Sequence, residues 1–349
     1  MNGDRKIKIL YIVLLVLNLI LIGLNVYKTF ISDNINKSNN IKKSDKMAVE
    51  YIKELYNDTS KRTANGLKKD NTSDANIRYE GAIPKNYVKF NDELWRIIGV
   101  FGDKIKLVRS EELGKLSWDS SDSSINEGYG VNEWSQADLK EYLNTMYYGG
   151  TSVTCYGDSN NSTKTCPTGN LNVTAKSMIN NYTWNIGAIN RSDTTIFNQE
   201  TNTLNTVVFY NTERGSINGK ICTSDSWCDD TVTRTTTWQG YVALPYVTDW
   251  VYASSETACA TNFKRGYSRF FDEICTENNW MYHGSAMWML SPLARSGFAY
   301  NVWSVEGYGY VDGDRASFAH SVFPSLYLKS DVKITSGSGT SGDPYILEL

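Results

Sequence analysis

From Ile9 to Tyr27 the chain runs nineteen residues without a charge. At about 1.5 Å per helical residue that run reaches about 28 Å, close to the hydrocarbon thickness of a bilayer, so it predicts a membrane-spanning helix over 9–27. Arg5, Lys6 and Lys8 precede the run and open a competing reading, a cleaved signal peptide. The run is longer than the apolar part of most such signals, and its end, GLNVYKTF, offers no small-x-small cleavage site. The expectation is an uncleaved single-pass anchor: residues 1–8 cytoplasmic, the lipid bilayer as partner through 9–27, and the rest of the chain extracellular. Charge alone does not orient it, because Lys28, Lys37, Lys42, Lys43 and Lys46 follow the run.

The cysteines supply the orientation. All six lie beyond the run and fall as three pairs close in sequence, Cys155 with Cys166, Cys222 with Cys228, and Cys259 with Cys275. Such a set suits an oxidising compartment, and adjacent bridging would contribute about 2 to 3 kcal/mol per loop in the chain-entropy description. Other connectivities stay open on sequence grounds. No pair has the C-x2-C spacing of a zinc ribbon, so no metal is assigned.

Net charge is −3, but residues 1–46 hold eight Lys or Arg against three Asp, which leaves −8 for residues 47–349. That balance excludes a nucleic-acid footprint. Two histidines, His283 and His320, leave little for a multi-histidine metal centre or common general-base chemistry, and no G-x-S-x-G elbow occurs. The expectation is a chain that is not an enzyme and carries no cofactor. Against 11 Phe stand 10 Trp and 23 Tyr, an excess of side chains with an apolar body and a polar tip that favours a binding surface.

Residues 28–76 read as a polar stalk with one short helix, Met47–Tyr56, ended by Asn65-Gly66, and the folded domain is placed at 77–349. Tyr87–Arg109 reads as strands NYVKF, ELWRIIGVF and KIKLVR, with Gly102-Asp103 as the turn between the last two. Ser135 and Asp138 form a capping signal, with Leu139, Tyr142, Leu143 and Met146 on one helical face up to Gly149-Gly150. Strand-like runs follow at 207–210, 241–247 and 299–305, and SLYLKSDVKIT (325–335) with YILEL closes the chain as a strand pair.

Five segments in order carry a resemblance: NYVKFNDELWRIIGVF (86–101), WSQADLKEYLNTMYY (134–148), YVALPYVTDWVYA (241–253), WMLSP (288–292) and SLYLKSDVKITSG (325–337). Together they resemble a family of uncharacterised extracellular domains from Gram-positive bacteria, related in pattern to the formylglycine-generating-enzyme and C-type-lectin-like folds. The resemblance implies an α+β, C-type-lectin-like fold: a twisted antiparallel sheet with short helices and long loops. The chain departs from it at Val322-Phe323-Pro324, where many relatives carry Val-Arg-Pro, and it lacks the triplets by which calcium-dependent lectins hold sugars.

The segment Gly297–His320 concentrates Tyr300, Asn301, Trp303, Tyr308, Tyr310, Asp312, Asp314 and Arg315, the rigid aromatics and small polar groups of an adaptable binding face. On a sheet, about half of such a set must instead point into a core. Asp312-Gly-Asp314 reads as a solvated turn, since the later ligands of a calcium loop are missing. His283, among Trp and Met neighbours, reads as packed. The leading expectation is a membrane-anchored cell-surface protein whose lectin-like domain binds an extracellular protein or glycan. A pilin-like structural subunit and a formylglycine-generating-like enzyme, using Cys259 and Cys275, are the alternatives.

Overall fold

The computed structural model describes residues 21, 23, 24, 27, 28, 45–121, 128–157, 162–215, 221, 222, 234–266, 275–295 and 297–349. The chain divides into two compact units, Met1–Ser44 and Asp45–Leu349. In the first, residues 21, 23, 24, 27 and 28 are helical. Among the described residues no helix is long and apolar enough to cross a membrane. This corrects the expected span at 9–27 and the single-pass cell-membrane placement built on it. A charge-free run meets the length requirement only, whereas a span also needs one continuous helix, and residues 9–20, 22, 25 and 26 lie outside the described residues.

The second unit begins at Asp45 rather than at 77. Strand Lys46–Met47 pairs with Lys333–Ser336, and helix Ala48–Asn57 buries Ala48, Val49 and Ile52. A second helix, Thr59–Asn65, is capped by Asp58, whose side chain accepts from the amides of Ser60 and Lys61, and it ends at Gly66 in the left-handed conformation (φ 70°). The residues expected as a stalk from 45 onward are therefore part of the folded body.

The main sheet has ten described strands. Along it run Lys46–Met47, Lys333–Ser336, Tyr345–Glu348, Tyr87–Phe90, Glu93–Phe101, Lys104–Arg109, Ser325–Tyr327 and Val242–Ala243, while Ile77–Tyr79 pairs with Glu93–Phe101 and carries Leu67–Lys69 beside it. Tyr345–Glu348 lies parallel to Tyr87–Phe90. Asn91 and Asp92, both at positive φ, turn Tyr87–Phe90 into the next strand, and Gly102 (φ 64°) serves the following turn. Glu93–Phe101 is buried on both faces: Trp95 and Ile97 join one hydrophobic cluster and Ile98 the other, which explains its nearly unbroken apolar run.

A second sheet of seven described strands contains Ala188–Asn190, Met287–Ala294, Asn301–Val305 and Val311–Arg315, with Ala319–Ser321 linking Met287–Ala294 to Lys115–Ser117. Met287–Ala294 is parallel to both Ala188–Asn190 and Ala319–Ser321. The expected C-type-lectin-like architecture around an antiparallel sheet is thus corrected: the molecule is mixed α/β, mostly sheet with few short helices, and both large sheets include parallel pairs. Parallel pairing joins strands far apart in sequence and leaves no local turn signal, so hairpin reading overlooks it.

Two local expectations also change. Residues 207–210, read as a strand from Val-Val-Phe-Tyr, belong to helix Thr206–Glu213, whose N-terminus Asn205 caps by accepting from the amide of Val208. Ser135 lies in a single 3-10 turn, Trp134–Gln136, followed by helix Asp138–Glu141 and a π-helical turn, Tyr142–Tyr148. The wider turn shifts the buried face, so Tyr147 rather than Met146 lies in the core with Leu139, Tyr142 and Leu143.

Candidate functional site

Four residues sit side by side across four strands of the main sheet. Arg78 is opposite Gly99, Gly99 opposite Lys106, and Lys106 opposite Tyr327. Gly99 marks a register shift and permits the close approach of the strand bearing Arg78: a Cβ there would lie 2.3 Å from the carbonyl oxygen of Ile77.

Over this row the short helix Val247–Val251 places Asp249. One carboxylate oxygen accepts from Arg78 Nη1 at 2.8 Å, and the other accepts from Lys106 Nζ and from the Tyr246 amide. Arg78 Nε also donates to Asp70 at 2.9 Å, and Asp70 holds the loop before the strand through Thr72 and Asn76. The side chains of Asp70, Arg78, Lys106 and Asp249 are all at most 2% exposed. Glu213 accepts from the amides of Val247 and Thr248, closing the start of the same helix.

Burial disfavours each of these charges, and the partners decide the outcome. For Asp249, Lys106, Arg214 and Arg78 outweigh burial and hold the carboxyl well below its usual range. For Lys106 burial wins over Asp249 and pulls the ammonium down. Burial pushes Glu213 up to about 7, against the pull of Arg214.

Beside this ionic base opens a cleft of about 420 Å³, lined among others by Asn76, Phe101, Tyr182, Tyr210, Arg214 and Tyr327. That volume lies within the range of small-molecule sites. Tyr182 and Tyr327 stack with ring centroids 3.8 Å apart, and Trp184 packs against both. Tyr210 donates to Asp74 and accepts from Asn76, so its hydroxyl is fully engaged. Arg214, just past the end of helix Thr206–Glu213, lies over the Tyr246 ring at 4.0 Å and donates through Nη1 to the Tyr327 hydroxyl at 3.5 Å. Its Nη2 stands 3.6 Å from Asp249, and neither Nε nor Nη2 makes a hydrogen bond among the described residues. The cleft therefore joins an aromatic wall to a guanidinium with donors in reserve.

The sequence-predicted face is divided. Trp303 is fully buried against Phe209 in the second core cluster, and Asn301 is buried with its backbone carbonyl accepting from Asn132. Tyr308 is 71% exposed in the turn beyond the strand. Tyr300 and Arg315 both pack on Tyr129, with the Arg315 guanidinium 3.8 Å from that ring. Tyr310 lies in the turn ahead of strand Val311–Arg315. Asp312 and Asp314 belong to this strand rather than to a turn, Asp312 pairing with Arg191 and Asp314 with His320. No single surface presents all eight residues. His283 stacks on Phe323, which occupies the position where the family resemblance expects an arginine.

Disulfides join Cys155 to Cys166 and Cys259 to Cys275, with Cα–Cα distances of 5.2 and 5.7 Å. Cys228, the expected partner of Cys222, lies outside the described residues. Arg78, Lys106, Glu213, Arg214 and Asp249 escaped sequence reasoning. The available signals were a lysine at an inward position of KIKLVR and an aspartate inside the apolar run YVTDWV. No protein-family model, no curated protein and no solved structure matches the chain.

Proposed function

We propose that the Asp45–Leu349 unit is a binding domain whose Tyr182–Tyr327–Arg214 cleft takes a ring-shaped ligand bearing a carboxylate, such as an acidic sugar. The observation that carries this reading is the state of Arg214. A guanidinium offers five donors in a fixed fork that matches a carboxylate, and two of its nitrogens here face no acceptor. A buried donor without a partner costs free energy that an incoming anion recovers. The stacked tyrosines supply a flat apolar wall for the rest of the ligand. The two disulfides support maturation in an oxidising environment. Cys259 is fully buried and bonded to Cys275, which weighs against a catalytic thiol pair at those positions.

Titration calorimetry with glucuronate and N-acetylneuraminate, against glucose as the uncharged control, tests the proposal. Binding of an acid but not of glucose, weakened tenfold or more in Arg214→Met, is the expected result. Equal heats for acid and control, or unchanged affinity in the variant, would overturn it.

A further inference from the structure

The second sheet carries a cluster that the cleft does not use. Glu306 closes strand Asn301–Val305, Asp314 lies on Val311–Arg315, and His320 on Ala319–Ser321. One ligand-type atom from each lies within 4.8 Å of the other two. His320 Nε2 is 3.1 Å from Asp314 Oδ2 and 4.0 Å from Glu306 Oε1. From this geometry we infer a binding site for a single first-row divalent cation, Zn2+ by its donor set, held by Glu306, Asp314 and His320.

The separations are those such an ion demands. Ligand atoms at about 2.0 to 2.2 Å from a tetrahedral zinc stand about 3.3 to 3.6 Å from one another, so the cluster closes on an ion by small side-chain adjustments. One imidazole nitrogen with two carboxylate oxygens is a borderline donor set, suited to zinc and poor for calcium, which takes six or more oxygens. The side chains are also held from behind. Ser304 Oγ donates to Glu306 Oε1 at 2.6 Å, the Arg315 amide donates to Asp314 Oδ1, and the His320 ring packs on Trp288 with centroids 4.2 Å apart. Such outer partners fix the direction in which metal ligands point. His320 is 10% exposed while Asp314 is 27% exposed, so one side stays open to water or a further ligand.

Charge argues the same way. Asp312 adjoins the cluster but is paired with Arg191 at 3.3 Å. Among the described residues no Lys or Arg pairs with Glu306 or Asp314, which leaves two carboxylates facing one imidazole. A divalent cation neutralises them, and so would a doubly bonded imidazolium, which the experiment separates from it.

The test uses the full chain, with ZnCl2 titrated by calorimetry and CaCl2 as the contrasting ion. One Zn2+ per chain, weakened at least tenfold in both Glu306→Gln and His320→Gln, is expected. Because the chain has only two histidines, the ring nitrogens are also read directly by NMR in the unmutated protein, with His283 as internal control. Zinc must shift the His320 Nε2 resonance and leave His283 unmoved. A His320 resonance indifferent to zinc, or one that reports a protonated ring throughout, overturns the inference whether or not the variants fold.

Discussion

Lys106 donates to Asp249 at a point where neither side chain has any exposed surface. Two charges withdrawn from water gain little net stability by pairing, because desolvation consumes most of the attraction. What the pair does is fix geometry: Asp249 ties a short helix to the sheet, and Arg78, Lys106 and Arg214 approach it from three directions. The floor of the cleft is held in place by electrostatics rather than by apolar packing alone.

Removing one member exposes the cost of the arrangement. Lys106→Met should destabilise the domain by about 3–5 kcal/mol, the usual penalty for leaving a buried partner charge uncompensated. Urea unfolding followed by tryptophan fluorescence measures this, and a midpoint equal to that of the unmutated chain would contradict it.

Stability should vary with pH through Glu213. Its folded pKa, about 7, lies above the ordinary 4.5, so between those values the folded chain holds a proton that the unfolded chain has released. Its contribution is full below about 4.5 and is lost as pH rises towards 7. Lys106, lowered from 10.5 to about 7, acts in the next window, and stability from it is gained as pH rises from 7 to 10.5. Glu213→Gln should flatten the decline between pH 4.5 and 7 and leave the alkaline rise in place. Melting temperatures recorded across that range, unchanged in slope by the substitution, would refute the assignment.

Gly99→Ala places a methyl carbon 2.3 Å from the Ile77 carbonyl oxygen. A cost of about 1–3 kcal/mol is expected from the forced separation of two strands. Gly342→Ala, where nothing lies within 4 Å, is the control and should melt with the unmutated protein. Similar melting of both variants would mean that the strand bearing Arg78 yields freely.

Replacing Cys259 and Cys275 together by serine opens a loop with a sequence separation of 16. The chain-entropy description gives a loss of about 3 kcal/mol. Thermal unfolding with and without reductant checks it: the unmutated protein should lose stability on reduction, and the double variant should lose less.

Sequence periodicity located what is local. Strands Tyr87–Phe90, Glu93–Phe101 and Lys104–Arg109 and the pair Lys333–Ser336 with Tyr345–Glu348 all fall where alternation and turn residues place them. Thr206–Glu213 was misread because Val-Val-Phe-Tyr favours strands intrinsically, while the Asn205 cap and tertiary burial of Phe209 and Tyr210 decide for helix. The predicted face of aromatic and acidic residues did not foresee that Asn301–Val305 is buried throughout. Nothing local announces the cleft: Arg78 and Asp249 meet across 171 positions, and Lys106 and Asp249 across 143.

The row of Arg78, Gly99, Lys106 and Tyr327 spans strands drawn from both ends of the domain. A partly assembled intermediate lacking the strand of Tyr327 has no wall to offer, so recognition becomes an all-or-none report on completed folding. Any cargo seated there would in turn act as a latch, raising apparent stability by about 2.7 kcal/mol at a hundred times its dissociation constant.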